Sequence, residues 1–353
     1  PTTSKRSWPA AGPRRHDGGL MADFDVAIVG GGLVGASLGC ALGAHGLRVA
    51  LVESAPFGAP SQPSYDDRSV ALAWGTRRIF ESMGLWADIA PQAEPITEIQ
   101  VSDRGHFGAA RLRAECFGYE ALGYVVEARV LGRVFAEALP RVAGLETICP
   151  ARLASARTDA GEVRLSVEVT DGGHMRTREL SARLLVGADG GDSMVRRHGG
   201  IAASRVDYGQ SAVIANVTPE FAPRGRAWER FTDSGPLAML PLKGDRCALV
   251  WTVRSERCDD VLALSDREFL AVLQERFGNR LGRMRRVGAR SAYPLALLRA
   301  ERYTSERLAL VGNAAHTLHP VAGQGFNLGL RDAAALAELI VEAGRSGGDP
   351  GAE

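Results

Sequence analysis

The sequence predicts an α/β fold in which a Rossmann-type dinucleotide-binding domain is interrupted by an inserted, sheet-rich substrate domain. Three observations lead to this fold class. An apolar run near the start ends in a glycine-rich turn, and short apolar runs ending in glycine recur at Leu184–Val186 and Leu308–Val311. Between about residues 205 and 255, strand-like segments follow one another instead. Because dinucleotide-type elements lie at the start, middle and end, the cofactor domain is expected to be discontinuous.

The first motif is a G-x-G-x-x-G sequence formed by Gly30, Gly32 and Gly35. It follows an apolar run over Asp25–Val29, which predicts a buried parallel strand, and it precedes Leu33–His45, which predicts a helix. In this setting Gly30 permits a tight turn, Gly32 lets the backbone approach a pyrophosphate, and Gly35 lets strand and helix pack closely. The free N–H groups of the helix would then face the phosphates.

Glu53 closes the next apolar run, Leu47–Val52, 18 residues after Gly35. A carboxylate at the end of this strand accepts hydrogen bonds from ribose hydroxyl groups. The alternative is a solvated charge at a strand end. Because strand, motif, helix, strand and acid follow in the expected order, the sequence predicts dinucleotide binding.

Two later glycine-rich segments, the second and third motifs, carry further candidates. Asp189 lies in a turn after Leu184–Val186, where a plain turn is the alternative. Within 310–332, Gly323 and Gly325 flank Gln324, and Asn327 follows at a predicted helix start. Backbone N–H groups and amide donors at a helix N-terminus suit an anionic carbonyl, such as that of a reduced flavin. The alternative is a glycine-rich loop before a helix.

Other elements are predicted from periodicity and turn residues. Val70–Met83 and residues 265–287 are expected to be helical, and Pro56–Asp67 to be a loop. Val163–Val169 alternates apolar and polar residues, as a half-exposed strand does. The last helix is expected to span Asn327–Ala343.

Composition limits the functional class. The 353 residues are 45% hydrophobic and 24% charged with a net charge of +1, so no nucleic-acid partner is expected. No apolar run reaches the roughly 18 residues of a membrane span. The five scattered cysteines are expected to be free thiols. His316 and His319 lack a suitably spaced third ligand, so no metal is expected.

Together the three glycine motifs resemble those of the class A flavin monooxygenases, which share the fold of para-hydroxybenzoate hydroxylase. The resemblance implies that the G-x-G-x-x-G motif holds the ADP half of FAD and that Asp189 touches the pyrophosphate and the nicotinamide route. It also implies that the segment at Gly312 lies against the ribityl chain. Asn313 stands where the family usually has Asp, so it offers a hydrogen bond but no charge.

Residues 319–332 look like the signature of the ubiquinone-biosynthesis hydroxylases, and Asp67–Leu72 matches their segment in which an arginine, here Arg68, reaches the flavin. Arg129 is a further FAD-binding candidate by this resemblance. The likeness covers roughly residues 23–345, and the family normally continues with more helical chain. Four segments resemble the 2-polyprenyl-6-methoxyphenol hydroxylase branch in particular: Val101–His106, Ala215–Val217, Glu229–Thr232 and Gly235–Pro241.

For catalysis, the resemblance implies that FAD, NAD(P)H and O₂ hydroxylate an aromatic ring. The catalytic candidates are Pro320, whose backbone the family places beside the reacting ring, and Gly323 and Gln324 at the helix start. No general base is predicted, because a phenol activates its own ring and the protein has to position it and exclude water. Pocket candidates on the inserted sheet, with ordinary core as the alternative, are Phe231, Met239, Leu240 and Trp251.

The predicted reaction is hydroxylation at C1 of a 2-polyprenyl-6-methoxyphenol in ubiquinone biosynthesis. The alternatives are another ring carbon of the same pathway, a flavin oxidase or dehydrogenase, and a non-catalytic FAD-stabilised subunit. We expect NAD(P)H to bind transiently, since the chain has no second G-x-G-x-x-G motif. Expected partners are the polyprenyl phenol, O₂ and other proteins of the biosynthetic complex. The expected location is cytoplasmic, peripheral at the inner face of the bacterial plasma membrane.

The predicted division of the chain follows these motifs. Residues 1–20 are rich in Pro, Gly, Arg and Ser, and they are expected to form a disordered leader before a natural start at Met21. The FAD-binding domain is assigned 21–95, 125–200 and 290–353, and the substrate domain 96–124 and 201–289.

Overall fold

The computed structural model describes residues 22–57, 68–159 and 161–352. The predicted leader and most of the predicted loop Pro56–Asp67 lie outside these residues. The first half of the chain contains β1 Phe24–Val29, α1 Leu33–Gly43, β2 Val49–Val52, β3 Ser69–Ala73, α2 Trp74–Ser82, α3 Trp86–Ile89, β4 Glu94–Ile96, β5 Glu98–Asp103, β6 Ala110–Arg113, β7 Gly123–Glu127, α4 Ala128–Ala138, β8 Leu145–Ile148, β9 Ala151–Asp159, β10 Glu162–Asp171 and β11 His174–Gly187.

The second half contains α5 Met194–His198, β12 Ala203–Pro219, β13 Arg226–Thr232, β14 Gly235–Leu242, β15 Arg246–Arg254, α6 Cys258–Ala263, α7 Asp266–Phe277, β16 Met284–Val287, β17 Ser291–Ala300, β18 Thr304–Ser305, β19 Leu308–Leu310, β20 His316–Thr317 and α8 Gln324–Arg345. No helix of the described chain is long and apolar enough to cross a membrane.

The cofactor half is built on an eight-stranded sheet, within the described residues, of order β18-β19-β11-β1-β2-β8, with β9 and β10 added beside β11. Its centre is parallel: Ile28 of β1 pairs with Val186 of β11 on one side and with Leu51 of β2 on the other. Both faces of β1 are buried. Val26 and Ile28 belong to one apolar cluster, and Ala27 and Val29 to another. Burial on both faces explains why these strands are continuous apolar runs in the sequence.

The second large sheet has the order β20-β17-β12-β15-β14-β13-β5-β6, with β16 also paired to β12. It contains the strands predicted between residues 205 and 255. It also includes β17 and β20, which fall in the segment assigned to the FAD-binding domain. The assignment of residue ranges to domains therefore stays a prediction. A third sheet has the order β3-β7-β4. It packs against both large sheets, because one apolar cluster joins it to the cofactor sheet and another joins it to the nine-stranded sheet.

Two helix predictions are partly wrong for physical reasons. Val70–Met83 begins as β3, because Val70 pairs antiparallel with Val126 of β7, and only Trp74–Ser82 is helical. Tertiary pairing overrides local propensity there. Residues 265–287 start as α7, which ends at Phe277 before Gly278, a residue with φ of 89°. The remainder returns as β16, which pairs with β12.

One face of the nine-stranded sheet is ordinary core. It is covered by α7, where Trp251 packs edge-on against Phe269 at 5.6 Å between ring centroids and Trp228 against Phe277 at 6.0 Å. Met239 and Trp251, two of the predicted pocket residues, are fully buried in this cluster. These two residues are therefore part of the core of the sheet, which was the alternative to a role in the pocket.

Candidate active site

The glycine turn after β1 is closed by backbone contacts. Gly30 has φ of 102°, and a Cβ atom there would collide with the carbonyl group of Ala188 and lie 2.7 Å from the amide nitrogen of Asp189. A Cβ atom on Gly35 would collide with the carbonyl oxygen of Gly30. Gly32 precedes the first residue of α1 and accepts the N–H of Ala36 at 2.9 Å. The turn is therefore a backbone surface at a helix N-terminus, which is what a pyrophosphate needs.

Glu53 lies beside this turn, directly after β2, and only 6% of its surface is exposed. One carboxylate oxygen accepts the N–H of Gly31 at 2.5 Å, and the other accepts the N–H of Ala55 at 2.8 Å. An ionised carboxylate has about four acceptor positions, so these bonds fix its orientation and leave acceptor capacity. A ribose diol placed at the turn would find a preorganised acceptor.

Asp189 follows β11, and its two carboxylate oxygens have different environments. Its Oδ2 accepts the N–H groups of Met194 at 2.7 Å and Val195 at 3.2 Å and so anchors the start of α5. Its Oδ1 is buried and has no hydrogen-bond partner among the described residues. A buried acceptor without a donor costs free energy, so this atom indicates a ligand that donates to it.

Arg196 joins the second and third motifs. Its guanidinium group is buried and donates to the carbonyl oxygen of Ala314 at 2.8 Å and to that of Gly191 at 2.7 Å. The loop after β19 is thereby held against the Asp189 turn, although 118 residues separate Arg196 from Ala314. The role of Arg196 was not predicted, because carbonyl partners this distant leave no local pattern in the sequence.

Gly312 brings the third motif onto the first. It has φ of 58°, and a Cβ atom there would lie 3.2 Å from Val34 of α1. A Cβ atom on Gly329 of α8 would in turn lie 3.0 Å from the Cα atom of Gly312. The three motifs therefore meet at one place. Asn313 lies exposed beside them.

The N-terminus of α8 begins at Gln324, after a short turn that Pro320 opens. Gly323 is left-handed, with φ of 59°, and a Cβ atom there would lie 3.0 Å from the side chain of Ala71 in β3. At Gly325 no described atom lies within 4 Å of such a Cβ position. The first turn of α8 contains no acidic residue, so its positive end is available for an anionic group.

Asn327 is 1% exposed and holds this helix start in place. Its Oδ1 accepts the N–H of Ala73 at 2.8 Å and the hydroxyl of Thr76 at 2.6 Å. Its amide donates to the carbonyl oxygens of Ala71 at 2.8 Å and Gly323 at 2.7 Å. A direct bond from this amide to a cofactor stays a prediction, and it would require one of these bonds to open.

Two predicted cofactor-binding arginines lie where the sheets meet. Arg68, directly before β3, stacks on Tyr293 of β17, with 4.8 Å from Cζ to the ring centroid. Arg129 pairs with Glu127 at 2.7 Å. The other oxygen of Glu127 lies 3.4 Å from Arg246 of the nine-stranded sheet. These contacts place both arginines beside that sheet, and contact with FAD stays a prediction for each.

The two histidines of the third motif have separate environments. His316 places Nε2 2.8 Å from Asp332, and its Nδ1 is buried without a partner in the described chain. His319 meets the ring of Tyr208 edge-on at 5.2 Å, and partial burial lowers its pKa. Among the described residues, no group of three His, Cys, Asp or Glu side chains is arranged to hold a metal ion.

The face of the nine-stranded sheet opposite α7 is called the inner face here, defined by Ala227, Glu229, Ala238 and Val250. Register places Glu229 opposite Ala238, and Ala238 opposite Val250. Glu229 is half-buried, and burial raises its pKa to about 7. Glu229 belongs to a segment that resembles one branch of the family, but it was not predicted to be a site residue. A carboxylate alternating with Ala227 and Phe231 on one strand face was the available signal.

Comparison with known proteins matches this geometry. A family model described as an FAD binding domain covers residues 23–351. Ubiquinone hydroxylase UbiL of Rhodospirillum rubrum is 42% identical over 348 residues, which are 97% of this chain and 78% of that protein. The chain belongs to the FAD-dependent monooxygenase family that includes the ubiquinone hydroxylases. The 3-demethoxyubiquinol 3-hydroxylase of Escherichia coli is 35% identical over 329 residues, covering 90% of this family member and 80% of that relative.

Solved structures agree with the assignment. A PqsL variant of Pseudomonas aeruginosa superposes with a TM-score of 0.75 at 27% identity, covering 92% of this monooxygenase and 88% of that chain. The p-nitrophenol 4-monooxygenase PnpA of Pseudomonas putida gives 0.74 at 22% identity, covering 92% and 81%, and it supports the fold alone. The predicted para-hydroxybenzoate hydroxylase-like fold, FAD as cofactor and the class of flavin-dependent aromatic hydroxylase are confirmed. The glycine turn, Glu53 and the unpartnered Asp189 oxygen fit FAD.

Proposed function

We propose that this monooxygenase uses FAD, NAD(P)H and O₂ to hydroxylate the ring carbon para to the hydroxyl of a 2-polyprenyl-6-methoxyphenol, a carbon that the ring numbering of ubiquinone biosynthesis calls C1. One observation carries the proposal: the third motif contacts both the three-stranded sheet and the nine-stranded sheet. Gly323 lies against Ala71 of β3, and His319 against Tyr208 of β12. The loop at Pro320 therefore lies where these two sheets meet, and in the proposal the substrate ring is held beside it.

The bound flavin accepts a hydride from NAD(P)H and supplies one oxygen atom of O₂ to the ring. In the proposal, the glycine turn and Glu53 hold the ADP half, and Asp189 accepts a hydrogen bond from the cofactor. The positive N-terminus of α8, which has no acidic residue in its first turn, would stabilise negative charge on the reduced ring system. Pro320 and the inner face orient the substrate and exclude water.

The choice of C1 rests on the resemblance of Ser102–His106, Glu229–Thr232 and Gly235–Pro241 to one branch. The name of the E. coli relative, a 3-hydroxylase, refers to another ring position of the same class of compound. Hydroxylation at another carbon is therefore the alternative activity. Since misplacement by about 1 Å already costs much of a rate, side chains on the inner face would decide between the carbons.

A polyprenyl tail also requires contact with a lipid phase. Phe107 at the tip of the β5–β6 hairpin is fully exposed, and Phe117 and Tyr119 after β6 are 57% and 48% exposed. In the proposal, these aromatic side chains contact the inner face of the bacterial plasma membrane from the cytoplasm. Other ubiquinone-biosynthesis proteins would assemble with the enzyme there.

The test is product analysis with the holoenzyme. Purified protein is given NAD(P)H, O₂ and either a 2-polyprenyl-6-methoxyphenol or a demethoxyubiquinol, and the oxygenated carbon is identified by NMR. We expect the phenol to yield the benzoquinol, and cells lacking the protein to accumulate 2-polyprenylphenol or its 6-methoxy derivative. Oxygen at another carbon would reject C1. Peroxide without product would indicate an oxidase, and no turnover a non-catalytic subunit.

A further inference from the structure

Glu229 lies in the middle of β13 with no polar partner. No hydrogen bond or ion pair joins it to another residue in the described parts of the chain, although the neighbouring Arg226 pairs with Glu98 at 3.0 Å. A half-buried carboxylate normally recovers its lost hydration through a donor. The missing donor at Glu229 therefore indicates a ligand that carries an O–H or N–H group.

Strand register shows which way this carboxylate faces. Trp228, one residue before, packs beneath α7, so the alternation of a strand puts Glu229 on the inner face. Ala227, two residues before, belongs to the apolar cluster that joins the inner face to Val125 and Ile96 of the third sheet. That sheet also contains β3, whose Ala71 supports Gly323. Glu229 therefore lies on the side of the sheet where the cofactor motifs lie.

The groups around Glu229 are apolar. Its cross-strand neighbours are Val101 of β5 and Ala238 of β14, followed by Val250 of β15. The charged groups of the inner face lie away from it: Asp103 is exposed at the end of β5, and Arg246 at the other end is bonded to Glu127. From the third sheet, Arg68 stacks on Tyr293 in β17, beyond β12. No charged side chain therefore neutralises Glu229.

We propose that Glu229 is a catalytic base that accepts the hydroxyl proton of the substrate phenol. The proposal rests on the proposed function, since it needs a phenolic substrate. The phenol O–H bond breaks, the proton becomes the carboxyl proton of Glu229, and the oxygen keeps its electron pair. The resulting phenolate has increased electron density at the ortho and para ring carbons. Formation of a benzoquinol requires attack at the para carbon. NAD(P)H supplies the hydride, one oxygen atom of O₂ forms the new C–O bond, and the other leaves as water, which takes up the proton that Glu229 accepted. The attacked carbon then loses its own proton as the former phenolate regains an O–H bond.

Burial makes this carboxylate a stronger base. It raises the pKa of Glu229 to about 7, closer to the value of about 10 of a phenol than an ordinary carboxylate has. Above pH 7 the group is ionised and able to accept the proton, and below pH 7 it is protonated and unable to do so. The rate should therefore fall as pH decreases through about 7.

The test compares Glu229→Gln with Glu275→Gln, a control that makes the same change at an exposed site on α7. FAD content and thermal stability are checked for each variant. With a phenol that is neutral at pH 7, we expect Glu229→Gln to lose about 100-fold in kcat/KM and to lose the decline below pH 7. Glu229→Asp should keep that decline at an intermediate rate. With a nitrophenol that is already ionised, Glu229→Gln should match the wild type within about twofold.

The outcomes distinguish failure of the proposed function from failure of the inference about Glu229. A wild type that hydroxylates no phenol rejects the proposed function and this inference with it. An active wild type whose Glu229→Gln variant keeps both the rate and the pH dependence rejects the inference alone. An equal loss with neutral and ionised phenols also overturns it, because the carboxylate would then only position the ring.

Discussion

The cofactor turn and the inner face of the nine-stranded sheet use opposite means to build a site. At Gly30, Glu53 and Asp189, backbone groups and two acids form a polar surface in which backbone N–H groups hold each acid and leave it acceptor capacity for a ligand. On the inner face, apolar side chains from several strands surround one unpartnered acid, Glu229. The first arrangement fits FAD, whose ADP half is not altered by the reaction. The second leaves its decisive hydrogen bond to the substrate.

The largest expected effect tests the cofactor turn. Gly30→Ala should abolish FAD binding and destabilise the fold by about 3 kcal/mol or more, because the new Cβ atom meets the backbone at 188–189. Gly46→Ala is the matched control, since Gly46 also has positive φ, 79°, but open space around it. It should cost only about 1 kcal/mol and keep FAD. Flavin content and urea unfolding measure both effects, and a flavin-loaded Gly30→Ala protein would contradict the assignment.

The second prediction tests the inner face. Its effect is of intermediate size, and the substitution is expected to stabilise the folded protein, whereas Gly30→Ala destabilises it. The folded protein keeps the Glu229 proton up to about pH 7, whereas the unfolded chain releases it near 4.5. Stability from this group is thus present below pH 4.5 and lost as pH rises through 7. Glu229→Gln should therefore be about 1–3 kcal/mol more stable than the wild type at pH 8 and equal to it near pH 4.5.

Urea unfolding at both pH values checks this prediction. Glu275→Gln should show no pH-dependent difference larger than about 0.5 kcal/mol, because its carboxylate is exposed and ion-paired. If Glu229→Gln behaves in the same way, Glu229 is already neutralised in the folded protein, and the contrast between the two regions disappears.

The smallest expected effect concerns the ribose end of the turn. Glu53→Ala should weaken FAD binding by about 1–2 kcal/mol, because ribose hydroxyls and the N–H of Gly31 lose a charged acceptor. Glu53→Gln keeps an oxygen acceptor and should lose less. Fluorescence titration of the apoprotein with FAD measures the affinity, and an unchanged value in Glu53→Ala would show that the ribose binds elsewhere.

Sequence reasoning succeeded where structure is local. The strand ending at Val29, the glycine turn and Glu53 lie within one βαβ unit, so spacing alone predicts their arrangement. It failed at Val70, whose strand depends on pairing with Val126, more than fifty residues away. The clamps made by Arg196 and Asn327 depend on partners more distant still. Glu229 was missed because different strands contribute the side chains of the inner face, and alternation with Ala227 and Phe231 alone does not distinguish a site from a half-buried strand.

The position of β19 has a consequence for how the protein is made. This strand pairs with β11 beside β1, and the loop after it is tied to the Asp189 turn by Arg196. Val34 near the start of the chain packs against Gly312 and Gly329 near its end. During translation, the glycine turn emerges from the ribosome first, but the groove around it closes only after α8 has followed. A nascent chain therefore completes this site only after α8 has left the ribosome, long after the glycine turn.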